Sequence, residues 1–253
     1  MKYDQLTVTV FDTNAALGAH AALQLAQILR DELAARGEAA VILATGNSQL
    51  QFMQALRTLH GDKTIAWSKI SIFHMDEYLG MPETHPASFR KYIRDNLISY
   101  VRPRAFYGMD GDAADPATEI TRYTELLAQH RPIACVMGIG ENGHLAFNDP
   151  PADFVTDATV HVVKLDEACR RQQVGEGHFS SMATVPTQAL SLTIPALIRP
   201  PHVLVIAPEA RKAEAIKAAL TGPVSPACPA SILRTCVHAQ LFLDTDSASL
   251  LMK

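Results

Sequence analysis

LTVTVFDTNAALGAHAALQLAQILRDELAARGEAAVILATGNSQ, residues 6–49, carries a complete strand, helix, strand and turn in succession. Residues 6–11 alternate apolar and polar positions in the manner of a half-buried strand. From Asn14 to Arg36 the Ala and Leu positions recur at helical spacing, with Thr13 or Asn14 placed to cap the start and Gly37 to end it. Residues 39–44 form an unbroken apolar run of buried-strand length. A loop over Thr45–Gln49 then leads into helical spacing from Leu50 to about His60. Two strands separated by so long a helix pair in parallel, through a right-handed crossover.

The alternation continues outward from this unit. Short apolar strands are predicted at 70–74, 133–138, 159–163, 188–193, 203–207 and 240–243, with helices at 88–97, 117–129 and 210–220. The predicted fold class is therefore α/β: a three-layer, doubly wound, mostly parallel Rossmann-like sheet in a single domain over residues 1–253. Residues 108–116 read as a surface loop and not as a domain boundary. In such sheets ligands bind at the carboxyl ends of the strands, which directs attention to the loops there.

Bulk composition narrows the function. With 48% hydrophobic and 19% charged residues among 253, the chain has the make-up of a globular protein, and no apolar run is long enough to span a bilayer. The N-terminus MKYDQLTVTV lacks the features of an export signal, so a cytoplasmic location is expected. Four dispersed cysteines, Cys135, Cys169, Cys228 and Cys236, show no zinc or dithiol spacing and are expected to be reduced thiols. A net charge of -4 offers no field for nucleic acid, while a small anion needs only a local pocket.

Three strand-end loops hold the unusual residues. Thr45-Gly46-Asn47-Ser48 places hydroxyls and a glycine beside a helix start, the make-up of an anion cradle, though such residues also serve as plain N-caps. In Phe73-His74-Met75-Asp76-Glu77-Tyr78 two adjacent carboxylates would repel and raise a pKa, as a base working near neutrality requires; alternatively one caps the turn and the other is solvated. The third loop, GIGENGHLAFNDP over residues 138–150, spells GxGxxG, but Pro150 and Pro151 cut it off before a dinucleotide-binding helix could follow. Its glycines, Gly140 among them, read as points of close ligand approach, and His144 with Asp149 as a base with an orienting carboxylate.

FHMDEYLGMPETHPASF, GIGENGHLAFNDP, VPTQALSLTIPAL and APEARKAEAIKAAL, taken in this order, resemble the glucosamine-6-phosphate deaminase (isomerase) family, which is similar to the chain over nearly its full length. The resemblance implies an amino-sugar-phosphate deaminase/isomerase, of the hydrolase class, that converts an amino-sugar 6-phosphate and water to a ketose 6-phosphate and ammonia. It implies Asp76 as the proton acceptor for enolisation between C2 and C1. His144 would be the ring-opening base, oriented by Asp149 and assisted by Asn142. Thr45, Gly46, Asn47, Ser48, Gly140 and Lys212 would hold the substrate. No cofactor and no metal are implied, and the partner is a small sugar phosphate, with no nucleic acid or membrane; a homo-oligomer is compatible with it. Asp149 stands where many members have Glu. The arginine that the family places near Gln173–Gly175 is absent, leaving Arg170 or Arg171 as candidates, and the short C-terminus leads us to expect no amino-sugar-phosphate allostery. Two rivals are a 6-phosphogluconolactonase of the same superfamily, which usually has DER where this chain has Asp76-Glu77-Tyr78, and a non-catalytic sugar-phosphate sensor.

Overall fold

The computed structural model describes residues 1–175, 177 and 179–251, without the side chains of residues 168, 169 and 172. The elements run β1 (Lys2–Tyr3), β2 (Leu6–Phe11), α1 (Asn14–Arg36), β3 (Ala39–Leu43), α2 (Leu50–Gly61), β4 (Ile70–His74), β5 (Asp76–Tyr78) and α3 (Phe89–Ile93). Helix α3 widens into a π turn at Arg94–Ile98 before α4 (Ser99–Val101). Then follow β6 (Ala105–Tyr107), α5 (Pro116–His130), β7 (Ala134–Met137), β8 (Val160–Lys164), α6 (Glu167–Gly175), β9 (Gln188–Leu192), α7 (Ile194–Ile198), β10 (His202–Ile206), α8 (Ala213–Thr221) and β11 (Ala239–Asp244).

Eight strands make one sheet in the order β1-β2-β11-β10-β7-β3-β4-β6, parallel throughout except for β1. Strand alternation builds the layers. Val41 and Leu43, Ala134 and Val136, and Leu204 and Ile206 face a cluster with α1 and α2, whereas Ala40 and Ile42, Cys135 and Met137, and Val203 and Val205 face α5, α7 and α8. Burial on both faces explains why these strands read as continuous apolar runs. Each fully buried Leu, Ile or Val contributes about 1.5–3 kcal/mol against solvent exposure.

Helix α1 has the predicted bounds. The Thr13 hydroxyl accepts from the Ala16 N–H, and Gly37, at φ 79°, donates to the Leu33 carbonyl. From β3 the chain winds one way, to β4 and β6; from β7 it winds the other, to β10 and β11. The switch point between β3 and β7 fixes where a ligand crevice opens.

Two predicted strands lie elsewhere than expected. Residues 159–163 and 188–193 correspond to β8 and β9, which pair antiparallel with each other, β9 also pairing antiparallel with β5, in a separate three-stranded sheet. Pairing partners are non-local, and strand periodicity alone does not reveal them. The acidic loop at 76–78 is likewise a strand, Asp76 lying opposite Ser191. Among the described residues no helix is long and apolar enough to cross a membrane. Cys135, Cys228 and Cys236 are free thiols; the side chain of Cys169 lies outside the described residues.

Candidate active site

Strand β3 ends in a loop whose Gly46 (φ 96°) opens a 3-10 turn, Asn47–Gln49, leading into α2. Strand β10 ends the same way: Glu209, also at positive φ (81°), opens the turn Ala210–Lys212 ahead of α8. Asp244 at the end of β11 holds Glu209 in place, both carboxylate oxygens accepting from its N–H at 3.1 Å. Gln49 and Lys212 are the third residues of these matching turns, and both are buried. Two helix N-termini therefore enter one crevice, each presenting N–H groups and the positive end of its dipole.

No helix separates β7 from β8, so the GxGxxG glycines serve a different purpose from dinucleotide binding. The loop closes on itself: the Gly140 N–H donates to the His144 carbonyl at 2.9 Å, and the Gly143 N–H to the Gly140 carbonyl at 3.0 Å. This folds the imidazole back over residue 140. A Cβ there would lie 2.2–2.4 Å from the ring, so with the imidazole in this place only glycine fits.

The imidazole is held through a short relay. His144 Nδ1–H donates to Asn142 Oδ1 at 2.7 Å, the same oxygen accepts from the His144 backbone N–H at 3.1 Å, and Asn142 Nδ2–H donates to Asp149 Oδ1 at 3.1 Å. Asp149 itself stands 3.3 Å from Nδ1. The nearer partner of the ring is thus Asn142, with the shorter Asp149 side chain behind it. With Nδ1 carrying the proton, Nε2 remains as the basic lone pair. Burial works to raise the Asp149 carboxyl, but His144 and Asn142 together win and hold it below the ordinary range.

Asp76 lies on β5, one residue beyond β4, and is 6% exposed. None of the described residues donates a hydrogen bond to its carboxylate. Burial first, and the charge of Glu77 second, push its pKa well above the usual carboxylate value. Glu77 faces the other way, sealed from solvent, and caps the start of α3. The expectation that one of the two acids is solvated does not hold.

Asp76, His144, Thr45, Gly46, Asn47, Ser48, Gly140 and Lys212 all line one open cleft. Asn142 and Asp149 stand behind His144. Three further lining residues, Phe89, Phe147 and Gln173, were not singled out from the sequence. Gln173 Oε1 accepts from the Tyr78 hydroxyl at 2.8 Å, which leaves its NH2 as the donor available to the cleft. Its helix, α6, carried no clear periodic signal. Neither Arg170 nor Arg171 replaces the absent arginine. Arg170 donates to the Met182 and Val185 carbonyls, and Arg171 pairs with Glu167 in solvent. Among the described residues no group of three or more His, Cys, Asp or Glu is placed to hold a metal ion.

Residues 12–242 match the family model described as glucosamine-6-phosphate isomerases/6-phosphogluconolactonase. The chain is 35% identical over 226 residues to a glucosamine-6-phosphate deaminase of Exiguobacterium sibiricum, covering 89% of this chain and 86% of the relative. It is 32% identical to the Streptococcus uberis glucosamine-6-phosphate deaminase, covering 89% and 93%. A solved monomeric glucosamine-6-phosphate deaminase superposes with a TM-score of 0.88 at 28% identity, over 96% of this chain and 99% of that one. A 6-phosphogluconolactonase from Shewanella baltica shares the fold, with a TM-score of 0.77 at 20% identity over 96% and 100%.

Proposed function

The chain belongs to the glucosamine-6-phosphate isomerase/6-phosphogluconolactonase family, and from that membership we propose that it is a glucosamine-6-phosphate deaminase. The observation that carries the reading is the meeting, in one cleft, of a buried carboxylate to which none of the described residues donates a hydrogen bond and an imidazole whose Nδ1 is committed to Asn142. A cyclic amino sugar needs two separate proton transfers, at the ring oxygen and at C2, and this arrangement offers a separate group for each.

The phosphate sits against the N–H groups of the 46–48 turn, the Thr45 and Ser48 hydroxyls and the Lys212 ammonium. His144 Nε2 moves the proton that opens the ring. Asp76 then takes the proton from C2 as a proton of the substrate's ammonium group passes to O1, giving an enolamine, and returns its proton to C1, leaving an iminium at C2. Water adds to C2 and ammonia leaves, giving fructose 6-phosphate. Enolisation is an isomerisation and water enters only in releasing the nitrogen, so the label hydrolase does not describe the carbon chemistry. The working location is the cytoplasm, where charged sugar phosphates are retained.

The test is to incubate the pure protein with glucosamine 6-phosphate, galactosamine 6-phosphate and 6-phosphogluconolactone, measuring ammonia and acid separately. Ammonia from glucosamine 6-phosphate supports the assignment; acid release above the spontaneous rate without ammonia points to the lactonase, and binding without turnover to a sensor. The two cation positions give a second check. Lys212→Met removes a charge-assisted contact of about 1.5–3 kcal/mol and should raise KM roughly 10- to 100-fold. Arg171→Ala should leave KM within about twofold, since an exposed i,i+4 pair is worth only a few tenths of a kcal/mol.

A further inference from the structure

Behind Asp76, on the opposite side of β5, lies a cluster none of whose charged side chains lines the cleft. Glu77 is fully buried, yet its two oxygens accept from the Ser88 hydroxyl at 2.7 Å, the Arg90 N–H at 3.0 Å, the Phe89 and Tyr78 N–H groups at 3.1 Å, and Arg90 Nε at 3.3 Å. Arg90 also donates to Asp110 at 2.7 Å, Asp112 at 2.8 Å and the Met81 carbonyl at 2.6 Å. The loop carrying both aspartates is tied to the end of β5, the Gly80 N–H donating to the Gly111 carbonyl at 2.7 Å. One guanidinium thus serves three carboxylates, and the cluster stays net negative.

The division between the two neighbouring acids follows. Among the described residues Glu77 takes all the donors and Asp76 takes none; burial still holds the Glu77 carboxyl above its usual value, but its donors and Arg90 work against that rise, while Asp76 has no such offset and is left to exchange a proton. Strand alternation holds them apart, because fixing Glu77 on the far face leaves Asp76 no orientation except toward the cleft. We propose that Glu77, clamped by Arg90 and the first turn of α3, is a positioning residue for Asp76 that fixes its direction and sets its strength as a base. The proposal rests on the deaminase reading of the cleft and assigns its regulation to a group outside it.

Other groups around Asp76 act less directly. His74, at the end of β4, is buried and neutral, its pKa pushed down to about 3 by burial and by Arg90. Tyr123 of α5 donates to the His74 carbonyl, and burial keeps its hydroxyl protonated. Glu119, also on α5, pairs with Arg122. His144 and Lys212 line the cleft with Asp76. None of these is altered by substituting Glu77, so a change in the behaviour of Asp76 reports on Glu77 itself.

The experiment compares wild type, Glu77→Gln and Glu77→Asp by kcat against pH, using ammonia release from glucosamine 6-phosphate. The substrate's own ionisations are common to all three and cancel. Removing the charge should move the acid limb of Glu77→Gln down by about one pH unit and lower the plateau roughly tenfold, whereas Glu77→Asp, which keeps the charge, should leave the limb in place. A limb that stays put in Glu77→Gln, or moves equally in both variants, overturns the proposal. Should Glu77→Gln not fold, Asp112→Asn removes a half-exposed charge from the same cluster, and the Asp76 carboxyl followed by 13C NMR should titrate a few tenths of a unit lower. No movement there overturns it too. The NMR titration needs no turnover, so a wild-type protein that releases no ammonia would overturn the deaminase reading and leave this one to be decided on its own.

Discussion

Asp76→Asn should lower ammonia release about 10²–10⁴-fold while the affinity for fructose 6-phosphate, measured by calorimetry, changes less than about threefold. Asparagine has nearly the shape of aspartate but no basic oxygen, so the phosphate contacts remain and proton abstraction fails. The pH dependence has a definite sign. The base works ionised, and its pKa is raised by burial and by Glu77, so wild-type activity should be present above that raised value and fall as pH drops through it. The acid limb should therefore lie above the usual aspartate value of 3.8. Unchanged turnover in Asp76→Asn would remove this carboxylate from the mechanism.

Gly140→Ala should cost about 10²-fold in kcat/KM, although the added methyl group is small. The new Cβ would stand 2.2–2.4 Å from the His144 ring, closer than any non-bonded contact allows, and the neighbour is the imidazole itself. Either the ring swings off Asn142 or the loop opens, and a displacement of about 1 Å in a reacting group is enough for such a loss. Circular dichroism should show a folded protein with the defect confined to rate. If kcat/KM stays within about threefold, the ring does not work from its place above residue 140.

Much of the fold was legible because its signals are local. Thr13 and Gly37 bracket α1 by cap chemistry, and residues 39–43 and 203–206 show buried strands by unbroken apolar runs. What escaped is set by distant partners. The three residues of β5 are too short and too polar to read as a strand until Ala189–Ser191 is beside them. The placement of β8 and β9 outside the main sheet has the same cause. In the candidate site, Asp76, His144 and the 45–48 turn drew attention because each follows a strand end, whereas Lys212 came only from the family resemblance. The partner of His144 could not, since the choice between Asn142 at 2.7 Å and Asp149 at 3.3 Å depends on how the loop closes. Arg170 and Arg171 drew attention by closeness in sequence to the expected arginine, but their guanidinium groups turn to carbonyls and to Glu167.

Strand β5 begins one residue after β4 ends, and on so short a connection the parity of the chain decides which acid meets the substrate. Adding or deleting a single residue at Met75 would exchange the two carboxylates, turning the clamped glutamate inward and the aspartate toward Arg90. A length change here thus alters the chemistry through parity alone, with no side chain replaced. Homologous enzymes that keep this chemistry should therefore hold the spacing between the histidine at 74 and the acid at 76 fixed.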